Sequence, residues 1–410
     1  MYKNVHTVII GGGASGMCAA ILLKRQLKNE TIVLIEALDR VGKKLIVTGN
    51  GRCNITNKFL DINSYHGVDS KFCNSVVSRY GVRFTEEFFN SLGVPLSEGD
   101  NGKMYPYCFQ ASAVVDAMRL ELARIDVKVL TETFAQKITL NEFGYRILTD
   151  KQEIFCKNLI VAAGGVAGGK KLGGYGIGYK MLTDLGFTLV PVTPSLVQLK
   201  TDLTLIKSLD GIKHTSTVTF YNINKKIRSE TGELLFTRYG ISGPPVLQVS
   251  RLSEVFDECK VKINFMPGYE YEEILQMLLK RKKLLADRKA EYFFTGLFPK
   301  MLGHTILKAC SIKLTDSVSE FTDSQCRLLS QQIYSFSLTV LGNNGMDNAQ
   351  VTAGGIATKD FSCKTMESLK YKGLYAIGEI LDIDGDCGGF NLQWAWSSAA
   401  AAAEDIIGKK

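Results

Sequence analysis

Thr7-Val8-Ile9-Ile10-Gly11-Gly12-Gly13-Ala14-Ser15-Gly16, followed at residues 31–36 by Thr-Ile-Val-Leu-Ile-Glu, decides the fold. The β-branched run 7–10 predicts a short strand of the kind buried in a parallel sheet. The glycine loop after it fits G-x-G-x-x-G, and the Ala- and Leu-rich stretch Met17 to Leu27 predicts a helix. Residues 31–35 predict a second strand, ending in Glu36. Each part has a physical task. Gly11 permits a tight strand-to-helix turn, Gly13 lets the backbone approach a pyrophosphate, and Gly16 lets helix and strand pack closely. The first-turn N–H groups, from Ala14 and Ser15 onward, face the phosphate. Glu36 stands where an acid accepts hydrogen bonds from a ribose, with Ala37 beside it. A lone glycine motif is weak, but strand, loop, helix, strand and acid in this order predict a dinucleotide site.

The bulk composition is consistent with this reading. The chain has 410 residues, 45% hydrophobic and 22% charged, enough for two or three domains with a sizeable core. Its formal charge is +8, which suits anionic ligands. The run Lys280-Arg281-Lys282-Lys283 reads as one solvated helix face. Ten cysteines contain no C-x-x-C pair, so neither a zinc site nor a dithiol motif is expected, and no metal is assigned. No signal peptide and no apolar run of about 18 residues is legible, which predicts a cytoplasmic protein with no membrane partner.

Further along, Leu159-Ile160-Val161-Ala162-Ala163-Gly164-Gly165 is a second apolar strand ending in small residues. Candidate strands at Val127–Leu130, Ala135–Leu140 and Tyr145–Thr149 precede it. A β-meander followed by a strand ending in Ala-Gly-Gly resembles the FAD domains of the glutathione-reductase-like superfamily. That resemblance implies FAD rather than NAD, with Ala162, Ala163, Gly164 and Gly165 beside it.

Two other segments carry candidate site residues. In 42–57, Lys43, Lys44, Asn50, Arg52, Cys53 and Asn54 crowd a loop rich in Gly, Asn and Thr. Such a loop could wrap the pyrophosphate, or contact the flavin or its substrate. Near the C-terminus a strand ends in Gly378-Glu379, and an Ala-rich helix is expected from about Trp394 to Ile407. Its N-terminus carries unpaired N–H groups and partial positive charge, suited to the N1–C2 carbonyl edge of a reduced flavin. Gly389, Asn391 and Leu392 lie at that end, with Cys387 close by to tune the flavin or donate a proton. Thr352-Ala353-Gly354-Gly355 resembles a flavin-adjacent segment of fumarate-reductase-like and aspartate-oxidase-like enzymes. Segment 173–178, G-G-x-G-x-G, lacks the spacing of a second nucleotide fingerprint and reads as a loop near the active site. His214 and His304 read as ordinary surface or core histidines.

Gly-Lys-Lys-Leu through Thr-Gly-Asn-Gly-Arg-Cys-Asn (42–54), Gly-Glu-Leu-Leu-Phe-Thr-Arg-Tyr-Gly-Ile-Ser-Gly-Pro (232–244), Thr-Ala-Gly-Gly (352–355) and residues 378–398 together resemble one bacterial flavoprotein family. It is called YhiN-like or BaiN-like, or the aminoacetone oxidase family of NAD(P)/FAD-dependent oxidoreductases. The resemblance implies an α/β fold in which a glutathione-reductase-like FAD-binding Rossmann domain is split by an inserted β-barrel-like domain and a small helical domain. The expected bounds are 1–189 and 343–410 for the FAD domain, 190–270 and 324–342 for the barrel-like insert, and 271–323 for the helical insert. Relatives carry His where this chain has Arg238, and Arg binds an anion rather than shuttling a proton.

The function this implies is hydride delivery from flavin N5 to an activated C=C bond of a small molecule, as in the bile-acid ene-reduction assigned to BaiN-like relatives. Arg52 or Arg238 would anchor the acceptor, and NAD(P)H would serve as a transient reductant. An oxidase of an amine-type substrate, making peroxide, is the alternative. A third is an RNA-interacting or redox-sensing flavoprotein. No basic stripe interleaved with aromatics stands out, so nucleic acid is not the expected partner. Oligomeric state is not legible.

Overall fold

A computed structural model describes residues 2–409, which divide into two compact units. Unit 1 combines the stretch up to Pro194 with the stretch from Gln350; unit 2 is the continuous segment Ser195–Ala349. These divisions fall a few residues from the expected 189/190 and 342/343.

In unit 1, β1 (Tyr2–Ile10) leads into α1 (Ala14–Gln26) and β2 (Ile32–Ile35). Then come α2 (Lys43–Val47), α3 (Ala111–Arg124) and β3 (Lys128–Leu130). The strands β4 (Ala135–Asn141), β5 (Gly144–Thr149) and β6 (Glu153–Val161) follow, and then α4 (Ile177–Asp184). The central strands are parallel: Ile10 faces Ile35 on one side and Val161 on the other. Their residues are buried on both faces, as a helix-covered parallel sheet requires.

One strand differs from expectation. Residues 128–130 do not belong to the meander. They extend the parallel sheet, pairing Val33 with Lys128 through Ile35 with Leu130. The helix before them makes the connection a crossover, and a crossover returns the chain parallel. The meander is therefore β4-β5-β6 alone.

Unit 2 is a closed antiparallel barrel with helices. Its strands are β7 (Leu199–Thr201), β8 (Lys213–Asn222), β9 (Lys225–Thr237), β10 (Gly240–Ser242) and β11 (Cys259–Asn264). The helices α5 (Tyr271–Leu284), α6 (Lys300–Ala309) and α7 (Asp323–Tyr334) come next, and β12 (Phe336–Asn343) closes the ring in the order β7-β10-β9-β8-β11-β12. Alternate residues Val218, Phe220, Val261, Ile263, Phe336 and Leu338 point inward. They share one core with Ile274, Leu302 and Leu329 from the three helices. The helices are thus not a unit of their own. Helix α7 also occupies much of 324–342, the stretch expected to be barrel, because a Thr322–Gln325 capping box starts a helix there.

Unit 1 resumes with β13 (Val351–Ile356), β14 (Leu374–Ala376) and α8 (Phe390–Gly408). Strand β6 holds two partners on one edge. Its first half pairs antiparallel with β5, and Leu159–Val161 pair parallel with Leu374–Ala376. Helix α8 packs on α1 and is buried on nearly every side, which its Ala399–Ala403 run permits. Trp394 and Trp396 are fully buried, each a large-to-small site worth about 3–5 kcal/mol if cut to Ala. The helix starts at Phe390, four residues before the expected Trp394. Its N-cap is Gly389 with φ 103°, a conformation only glycine adopts without strain. Among the described residues no helix is long and apolar enough to cross a membrane.

Candidate functional site

The glycine turn forms at the C-terminal edge of the parallel sheet. Gly11 has φ +109°, and a Cβ there would lie 2.3 Å from the Ala162 carbonyl oxygen; one on Gly16 would lie 1.9 Å from Gly11's own. Both glycines are dictated by backbone packing. Gly13 is different: a Cβ would meet nothing within 4 Å. It caps α1, yet the cap has no side-chain hydrogen bond and the first turn has no acid. The N–H groups of that turn therefore face open space, an anion-ready helix terminus.

Glu36 sits beside this turn. Its carboxylate accepts the N–H of Gly12 at 2.9 Å and of Leu38 at 2.8 Å. Burial raises its pKa, and those two N–H groups oppose the rise. The cleft is lined by Gly11, Gly13, Glu36, Ala37, Lys43, Lys44, the 162–165 turn, and Gly173 and Tyr175 of the second glycine-rich loop. Tyr175 meets Phe134 edge-on at 5.2 Å, forming one wall. An open helix terminus, a half-buried carboxylate beside it and an aromatic wall fit the ADP half of FAD.

Lys44 reaches from α2 to Glu379, 2.7 Å from Oε2 and 3.0 Å from Oε1. Oε1 also accepts the Thr352 N–H at 2.8 Å. The Thr352 hydroxyl accepts the N–H groups of Val166 and Ala167, both at 2.9 Å. Three of the expected residues, Lys44, Thr352 and Glu379, are so linked, together with Val166 and Ala167 just after the expected 162–165 turn. Lys43 pairs instead with Asp39. Gly354 and Gly355 serve packing: added Cβ atoms would lie 2.1 Å from Pro191 O and 2.9 Å from Ile380 O. Gly378 donates its N–H to Ser398 and accepts from the Trp394 indole, each at 3.0 Å.

The loops at 48–57 and 386–392 meet each other. Asn57 Nδ2 donates to the Gly388 carbonyl at 2.9 Å, and a Cβ on Gly389 would strike the Thr56 carbonyl at 2.5 Å. Asn391 clamps its own loop, bonding Gly385 N–H and C=O at 2.8 and 2.7 Å. It therefore orders the helix start, and Leu392 beside it is half-buried. Asn50 is exposed with φ 55°; Cys53 is buried, its thiol pushed up to about 12 by burial. The Asn54 Oδ1 is buried without a partner. Arg52 is exposed and lies over the Tyr105 ring at 5.4 Å. Cys387 is half-buried; burial raises its pKa, Lys103 opposes, and Asp386 adds to the rise. Arg238 is exposed in the turn between β9 and β10 of unit 2.

Two residues of interest had no sequence signal. Tyr105, almost buried, has its pKa raised mainly by that burial, with Arg52 lowering and Cys387 raising it. His66 Nε2 lies 2.8 Å from Asp386 Oδ1, the residue before Cys387. Strand pairing between Tyr65–His66 and Asp384–Gly385 makes this contact, which is 320 positions long. His214 sits against Phe265 and Phe298 with its pKa lowered by burial, and His304 is buried against the Glu291 carbonyl.

Fold and cradle define the class, an FAD-dependent oxidoreductase of Rossmann type. Residues 5–405 match the family described as HI0933-like protein Rossmann domain, and the chain belongs to that family. It is 37% identical over 398 residues to the 3-dehydro-bile acid delta(4,6)-reductase of Clostridium scindens, covering 96% of this chain and 97% of that one. It is 29% identical over 412 residues to the ribosomal RNA dihydrouridine synthase of Escherichia coli, covering 100% and 99%. Among solved structures, 3-ketosteroid delta1-dehydrogenase from Sterolibacterium denitrificans shares the fold with a TM-score of 0.52 at 12% identity, each chain covered fully.

Proposed function

We propose that this protein is a cytoplasmic, FAD-dependent reductase of a small molecule bearing a C=C bond conjugated to a carbonyl. The observation that carries this is the grouping of Arg52, Tyr105 and Cys387 where the two long loops meet, in the same unit as the dinucleotide cradle. FAD, when bound and reduced, would supply the hydride. The rest falls to the chain. The Gly13 terminus and Glu36 hold the diphosphate and ribose, and the Lys44–Glu379 link fixes the floor between the cradle and β13. The Arg52 guanidinium binds the acceptor's carbonyl oxygen and draws charge toward it. Tyr105 and Cys387 both stay protonated at neutral pH, because burial raises each, so either holds the proton that saturation of the bond needs. The relative named as a bile acid reductase supports this reaction type. NAD(P)H docking transiently against the flavin is the proposed reductant, with a protein or another small molecule as the alternative.

A second reading is favoured by the full-length relative named as an RNA dihydrouridine synthase. The uracil C5=C6 bond is also conjugated to a carbonyl, so the same three residues suit it. The test is anaerobic. Purified protein loaded with FAD is mixed with NADPH or NADH, and the bleached flavin is offered an enone, a uridine-containing RNA, or air. Rapid reoxidation by the enone is expected. Reoxidation by RNA alone selects the second reading. Reoxidation only by air, with peroxide formed mole for mole, would make the protein an oxidase.

A further inference from the structure

We propose that a second copy of this chain covers the outer face of α3, making the protein a two-fold symmetric dimer. Helix α3 turns Val114, Val115, Met118 and Leu122 into the core of unit 1. Its other side presents Ala113, Asp116, Ala117, Leu120 and Arg124, the spacing of a single helical stripe. This stripe is one bank of an open groove of about 660 Å³, and Val94, Pro106 and Tyr107 stand on the other. Leu120 and Tyr107 are each 72% exposed. A small ligand in the groove would leave these two crests in water, whereas a second protein surface covers both.

The charges on the stripe favour a second copy over any other partner. Asp116 stands four residues before Leu120 and Arg124 four residues after it. Two copies of α3 laid antiparallel about Leu120, with their i, i+4 rows side by side, bring each Asp116 to the other copy's Arg124. The same opposite-charge contact is thus made twice. A partner surface of a single sign would meet repulsion at one end of the stripe. Small Ala113 and Ala117 let the two backbones approach. The present partners of both charges are solvated. Asp116 lies 3.3 Å from Arg119, each side chain more than half exposed. Arg124, 68% exposed, bonds Glu121 at 2.7 Å, and Arg25 holds Glu121 from the other side at 2.7 Å. Surface pairs of this kind contribute little, so Asp116 and Arg124 can exchange them, and Glu121 keeps Arg25.

None of these residues lines the cradle, so the inference stands apart from the proposed reaction. Its test is sedimentation velocity of the full-length, FAD-loaded protein over a range of concentrations. The parent should pass from monomer to dimer as concentration rises. D116R sets two cations together at each end of the contact, and R124D sets two anions. Each alone should raise the dimer dissociation constant roughly tenfold or more. An equal mixture of D116R and R124D has opposite charges at both ends again and should dimerise like the parent, as should D116R/R124D by itself. L120S should weaken the dimer, while L284S, at a leucine 77% exposed on α5, should not. Cys108 lines the same groove, so iodoacetamide should reach it more slowly in concentrated than in dilute protein, with Cys363 unaffected. A parent still monomeric at about 0.1 mM, or a mixture of the two single variants no tighter than either alone, would overturn the proposal. Cys108 labelling that ignores dimer formation would place the contact elsewhere and overturn it too.

Discussion

The Lys44 ammonium and the Glu379 carboxylate lie 335 positions apart in sequence and 2.7 Å apart in space. Both side chains are largely sheltered, at 28% and 22% exposure. The pair ties α2 to the segment after β14, and through the Thr352 N–H it also ties in β13. K44M leaves a sheltered carboxylate with one N–H partner. Its expected cost is about 1–2 kcal/mol in urea unfolding of the FAD-free protein. K44M/E379L should regain part of that loss; a double variant as weak as the sum of both singles would show that the pair contributes nothing.

Gly13 and Gly16 make opposite predictions three residues apart. G13A adds a methyl into open space at an ordinary φ of −79°, so folding should be unchanged while the methyl blocks the diphosphate. G16A places a methyl 1.9 Å from a backbone oxygen, so the turn itself must open. The expected result is a stable, colourless G13A protein and a G16A protein destabilised by about 3 kcal/mol or more. Flavin absorbance and thermal melting, measured on both, check the split.

Glu36 gives a pH signature. Burial raises its folded pKa above the ordinary value of 4.5. The folded chain therefore favours the protonated acid. That contribution is fully present below the ordinary value and fades as pH rises through the raised one. E36Q cannot titrate. In FAD-free protein it should flatten the fall in stability as pH rises from about 4 toward neutrality, read from urea midpoints. A curve identical to the parent's would show that Glu36 ionises without cost.

The cysteines divide by exposure. Cys108 and Cys363 are exposed, and the ten form no disulfide. Iodoacetamide on the native protein at neutral pH should add two groups quickly, at those positions. Cys387 should lag well behind them, because burial favours its thiol over the reactive thiolate. Peptide mass mapping over time checks the order. Early labelling of Cys387 would remove it as a held proton source.

The cradle was legible in sequence because every part of it is local. Strand, turn, helix and acid occupy residues 7–36, and glycine spacing reports backbone contacts directly. The second strand ending in Ala-Gly-Gly was legible for the same reason. Contacts made by long-range pairing were not. His66 reaches Asp386 only through two-residue strands that have no periodicity to detect. Tyr105 lies in a four-residue strand with no motif. Residues 128–130 were misassigned because three residues of strand do not reveal which neighbour they join. The early start of α8 was missed because Gly388-Gly389 spells a loop until φ 103° shows Gly389 to be a cap.

The interrupted layout of unit 1 has a consequence for how the protein is made. A ribosome delivers 1–194 first, then the whole barrel segment, and only afterwards β14 and α8. Until then β6 lacks the partner for Leu159–Val161, and α1 lacks the helix that covers it. Unit 2, being continuous, has all its strands while the first half of unit 1 still waits with apolar surface uncovered. Completion of the sheet beside Leu159–Val161 and covering of α1 are thereby deferred until residues 374–408 have been made, and the nascent N-terminal half is the stage at which a chaperone would act.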